Sequence, residues 1–80
     1  MSNGYSSVLI YKNKVASKSN LGVSLGRICI AKNVPVIQVA ASLGVSRATI
    51  YNWFKGYSVP YQSQNLAIKL YIEALKIQHV

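Results

Sequence analysis

The stretch from Val36 to Lys55, VIQVAASLGVSRATIYNWFK, decides the fold. Its apolar residues Ile37, Ala40, Ala41 and Leu43 recur at helical spacing, stop at Gly44, and resume at Val45, Ile50 and Trp53 with helical spacing again. One interruption, falling on a glycine, predicts two short helices joined by a tight turn. Gly44 can take the positive φ that ends a helix and turns the chain, which a residue with a Cβ does only at a cost. Ser46 is placed to cap the next helix by accepting from the free amide of Ala48 or Thr49, so that helix is predicted from about Arg47 to Lys55. Ala40 belongs at the crossing of the two helices, where a larger side chain would hold them apart. Val45, Ile50 and Trp53 are predicted to fill the wedge beneath.

Helices are predicted on both sides of this unit. Asn20 is a plausible cap for one from about Leu21 to Lys32, with Leu21, Leu25 and Ile28 on one face as the first wall of the core. Pro35 begins the helix that leads into Gly44, where a missing amide hydrogen costs nothing. After Lys55, the loop Gly56 to Tyr61 (GYSVPY) carries a glycine stop and a proline, and residues 62–77 read as a last helix. That helix has Leu66, Leu70, Ala74 and Ile77 on one face and Ile68, Ile72 and Leu75 on another, more apolar surface than one small core can cover. A homodimer through Ile68, Ile72 and Leu75 is therefore expected, the alternative being that the N-terminal VLIY run covers the surplus. Residues 1–20 are expected to be a mostly flexible basic arm, with a short strand over 8–12 where the chain is rich in β-branched and aromatic residues. In that arm Lys12, Lys14 and Lys18 would meet phosphates, or the arm would dock its apolar run on the domain.

Composition narrows the function. Eighty residues make one domain, able to bury only about 60% of its unfolded surface. Nine Lys and Arg against the single acid Glu73 give a net charge of +8, which implies a polyanionic partner. Charge alone does not choose between nucleic acid and an anionic membrane surface. One cysteine, Cys29, and one histidine, His79, give neither an internal disulfide nor a metal cluster, so no metal and no cofactor are expected. An enzyme is not expected either, because no pair of groups is left to share acid and base roles. No stretch approaches the roughly 20 apolar residues of a membrane span, and the N-terminus lacks the features of a signal peptide. A cytoplasmic protein is expected.

With these residues in view, the chain resembles the helix-turn-helix of the phage repressor and Cro family, also called XRE-like. Ala40, Gly44, Val45, Ile50 and Trp53 stand where that family has its small, turn and core residues, and compatible helices extend the likeness from about Leu21 to Ile77. Leu21, Gly22, Leu25 and Ile28 match its first helix, and Asn33 stands at its usual C-terminal glycine, a role asparagine can fill. The resemblance implies an all-α, compact four-to-five-helix lambda-repressor-like domain over residues 21–80. It also implies binding of double-stranded DNA, with the helix over 47–55 in the major groove, as in a Cro-like transcriptional repressor of a phage or mobile element.

The residues suit that reading. On the predicted recognition helix Arg47, Ala48, Tyr51 and Asn52 lie opposite Ile50 and Trp53. Arginine can bond bidentately to guanine and asparagine to adenine, while an alanine methyl can pack on that of thymine. The family's base-reading positions fall on Ser46, Arg47, Ala48 and Asn52, with Tyr51 close by. Lys55, Tyr57 and Ser58 in the following loop, with Thr49 and Gln38, are the phosphate-contact candidates of the domain.

Two positions depart from the family. Cys29 and Phe54 stand where many members pair an arginine with a glutamate, so a packing contact is expected to replace the ion pair, with Cys29 a buried small hydrophobe. Val36 stands where the family often has a glutamine that touches phosphate. Other readings are an accessory subunit for packaging, recombination or transposition, and, more remotely, a basic membrane-surface protein, for which Lys69 and Lys76 are too few to make a strongly basic face.

Overall fold

The computed structural model describes residues 5–17 and 19–77. Among them are five α-helices and one 3-10 turn, and no strand: α1 (Ser7–Val15), α2 (Leu21–Ala31), α3 (Val36–Leu43), α4 (Arg47–Lys55), the 3-10 turn Gln62–Gln64 and α5 (Asn65–Lys76). The fold is all-α, and α2 is its centre, packed against α4, α5 and α1, while α3 leans on α4.

Local signals end most of these helices. Asn20 accepts from the Gly22 amide at 2.9 Å and starts α2. Asn33, at φ 57°, turns the chain after α2 so that the Val34 amide donates back to the Cys29 carbonyl at 2.9 Å. Gly44 does the same after α3 at φ 69°, with the Val45 amide donating to the Ala40 carbonyl at 3.1 Å. Ser46 Oγ then accepts from the Thr49 amide at 3.1 Å, and α4 runs from Arg47 to Lys55. These are the caps and limits that the sequence predicts for the helix-turn-helix unit.

The core is one cluster in which Leu25, Cys29, Val39, Ile50, Phe54 and Ile68 are wholly buried. Trp53 and Ala40 are buried with them, while Val45, Leu21 and Ile28 are half-buried at its edge. Cys29 and Phe54 both lie inside, so apolar packing occupies the place where an ion pair would need desolvating. Two glycines let α2 approach α4: a Cβ at Gly22 would come within 2.7 Å of Trp53 Cβ, and one at Gly26 within 2.8 Å of Phe54 Cγ.

Three expectations are corrected. The run over 8–12 is helix, not strand. Ser6 caps α1 by accepting from the Leu9 amide at 3.1 Å, and Tyr5, Leu9 and Asn13, spaced by four, are buried against α2 and α4. That spacing, rather than the local β preference of Val, Ile and Tyr, is satisfied by tertiary packing. Of the two readings of the N-terminal segment, its described residues match the docked one. Second, α3 faces inward with Val36, Val39 and Ala40, and leaves Ile37 63% exposed and Ala41 exposed. Third, Ile68, Ile72 and Leu75 are buried against the core and cannot form a free dimer face. The apolar surplus of α5 is instead Leu66, Leu70 and Ile77, exposed by 68%, 62% and 74%.

Candidate nucleic-acid interface

With Ile50, Trp53 and Phe54 buried, α4 turns Ala48 and Asn52 directly outward. Arg47, Tyr51 and Lys55, spaced by four, fall on one flank of this outward face, and Ser46 and Thr49 on the other. The first flank is one wall of an open groove of about 780 Å³ that α1 lines with Val8 and Lys12, and that Pro35 and Ile37 also line. The second flank borders a smaller hollow of about 460 Å³, shared with Trp53, Ser58, Tyr61 and Gln64. Ser46, Arg47, Ala48 and Asn52 are exposed, Tyr51 is 40% exposed, and Thr49 and Lys55 are half-buried.

The phosphate candidates thus divide between two flanks. Lys12, Lys55 and Tyr57 meet on the α1 side: Lys12 Nζ donates to Tyr57 Oη at 2.5 Å, and Lys12 and Lys55 Nζ lie 5.2 Å and 4.6 Å from the centre of the Tyr57 ring. Tyr57 is exposed, and the two lysines lower its hydroxyl pKa, the hydrogen bond from Lys12 contributing most. Ser46, Thr49 and Ser58 lie on the other side. Lys14 is exposed on α1 and Gln38 exposed on α3, neither of them lining the groove or the hollow, and Lys18 and His79 lie outside the described residues. Val36, where a phosphate-touching glutamine would be expected, is buried and cannot reach a ligand.

The geometry depends on residues that the sequence reading passed over. Asn13 is the buried polar side chain of α1, and its Nδ2 donates to the Phe54 carbonyl at 2.8 Å and to the Val23 carbonyl at 3.1 Å. The Phe54 carbonyl is one of the last four of α4, which have no acceptor role within the helix. Asn13 satisfies it from 41 positions away in sequence. Arg27 on α2 in turn donates from Nη2 to the Asn13 carbonyl at 2.8 Å and to the Lys14 carbonyl at 3.2 Å, placing a cation at the negative end of α1. Tyr5 donates from its hydroxyl to the Val34 carbonyl and sets its ring 6.2 Å from that of Phe54. The signal available beforehand was the interval of four linking Tyr5, Leu9 and Asn13.

The chain finds no match among family models, curated proteins or solved structures. What it can bind is therefore argued from its own chemistry. The only acidic side chain, Glu73, is exposed on α5 and paired with Lys76 at 3.5 Å, so no carboxylate side chain offsets the cations beside α4 among the described residues. Burial pushes the Cys29 thiol pKa up to about 12, and the side chain packs inside the core. Among the described residues, no helix is long and apolar enough to cross a membrane.

Proposed function

We propose that this protein binds double-stranded DNA, with α4 entering the major groove and its outward residues reading base edges. The observation that carries this reading is the α4 surface itself: Ala48 and Asn52 at its crest, Arg47 and Tyr51 beside them, and hydrogen-bonding or cationic side chains on both flanks. Such an arrangement suits a duplex, in which base edges lie between two phosphate strands. Arg47 and Asn52 are assigned to guanine and adenine edges, and Ala48 to a thymine methyl. The net charge of +8 supplies the attraction that does not depend on sequence. The resemblance of residues 36–55 to the repressor and Cro family carries the narrower reading, a transcriptional repressor of a phage or mobile element. A dimer on a two-fold operator has Leu66, Leu70 and Ile77, apolar residues that α5 leaves exposed, available to it.

The salt dependence of duplex binding tests the reading. About 4 to 6 phosphate contacts per subunit predict a log-log slope of about −4 to −5 per subunit. A slope near zero would remove the electrostatic basis of the proposal. Selection of bound duplexes from a random pool then tests sequence reading, with a recurrent motif expected and its absence pointing to binding by charge alone.

A further inference from the structure

We infer that Lys12 of α1 and Lys55 of α4, gathered at Tyr57, form a single seat for one backbone phosphate of duplex DNA, so that α1 is part of the DNA-binding surface. The inference rests on the DNA reading above and adds to it a site to which the core helices alone do not contribute every residue.

Three observations converge on the seat. Both ammonium groups converge on one tyrosine: Lys55 Nζ lies 4.6 Å from the centre of the Tyr57 ring, and Lys12 Nζ, 5.2 Å from that centre, sits at the hydroxyl end, to which it donates at 2.5 Å. Like charges held at one side chain repel, and the chain's only acidic side chain is engaged with Lys76 on α5. The negative end of the α4 dipole, equivalent to about half a charge, offsets only part of two positive charges. The net excess is positive, and it faces an open groove.

The seat is also built on fixed elements. Gly56, at φ 77°, turns the chain so that the Tyr57 amide donates to the Asn52 carbonyl at 2.9 Å, which sets where the ring stands. Lys12 is placed from the other side, because its neighbour Asn13 is bonded to the Phe54 and Val23 carbonyls. A phosphate bridging the two lysines would neutralise their repulsion and accept from both ammonium groups, forming charge-assisted bonds. Tyr51 and Arg47 stand one and two turns back along the same flank of α4. A strand lying in this groove would pass from the seat towards the residues assigned to bases.

The test counts phosphates. Salt-dependent binding of the full chain to a random-sequence duplex is measured for the wild type, Lys12→Ala, Lys55→Ala and the double variant, each checked for folding by circular dichroism. If both lysines share one phosphate, the double variant makes the log-log slope shallower by about 0.9, and each single variant by less than that. Two independent contacts would make the double variant shallower by about 1.8, which overturns the shared seat. A Lys12→Ala variant that binds like the wild type overturns it too. A wild type whose binding has no salt dependence overturns the DNA reading itself, and the seat with it. Tyr57→Phe keeps the ring beside Lys55 but removes the hydroxyl that holds Lys12, and is expected to make the slope shallower as Lys12→Ala does; a slope equal to that of the wild type would show that Tyr57 does not place Lys12 at the seat.

Discussion

The two ends of α4 are fixed in different ways. Its N-terminal end is capped from within the motif, by Ser46 accepting from the Thr49 amide three residues on, immediately after the Gly44 turn. Its C-terminal end is partly self-capped by the Gly56 turn, but the Phe54 carbonyl is satisfied by Asn13 on α1. One end is therefore a property of a short peptide and the other a property of the assembled domain. The difference explains why α1 is integral to the candidate interface: the helix that presents Lys12 to the groove also completes the helix that presents Arg47 and Asn52.

The largest expected effect falls on what both ends share. Trp53 is buried beneath the middle of α4 against Gly22, and Trp53→Ala should cost about 3 to 5 kcal/mol, a large share of the stability of so small a domain. Thermal unfolding followed by circular dichroism measures it. An almost unchanged melting temperature would mean that the faces of α4 are wrongly assigned and that neither cap matters as described.

Asn13→Ala tests the distant cap. It leaves the buried carbonyls of Phe54 and Val23 without the Asn13 donor, at about 1 to 3 kcal/mol by denaturant titration. Faster amide exchange across residues 7–15 should accompany the loss, because the bonds that hold α1 to the domain go with the side chain. Unchanged exchange there would show that apolar contacts of Tyr5 and Leu9 suffice to dock α1. Ser46→Ala tests the local cap and should cost about 1 kcal/mol, with exchange rising only in the first turn of α4. A larger loss from Ser46→Ala than from Asn13→Ala would reverse the ranking of the two ends.

The same contrast separates what was legible in the sequence from what was not. Gly44, Ser46, Asn20 and Asn33 act on residues no more than five positions away, and the limits of α2, α3 and α4 follow from them. The phase of α3 was not legible, because Val36, Ile37, Val39, Ala40, Ala41 and Leu43 make nearly the whole helix apolar and periodicity cannot then choose a face. For α5 the two apolar faces were visible, but which one the core takes depends on where α2 sits, and the structure buries Ile68, Ile72 and Leu75. The segment around Val8 to Lys12 is short and β-prone, and only its long-range packing makes it helical. At the candidate interface, the outward face of α4 followed from helix geometry. The meeting of Lys12 with Lys55 and Tyr57 did not, since it joins residues more than 40 positions apart.

The central claim is that the outward face of α4 reads base edges, and Asn52→Ala tests it most directly. The Asn52 side chain is exposed, and its backbone carbonyl keeps accepting from Tyr57 after the substitution, so the fold and the cap should survive. Affinities of the wild type and of Asn52→Ala are measured by fluorescence anisotropy on the best duplex from the random pool and on an unrelated duplex of equal length, at one salt concentration. A loss of about 1 to 3 kcal/mol on the selected duplex with little change on the other is the predicted result. Equal losses on both, or none on either, would contradict base reading through this face of α4.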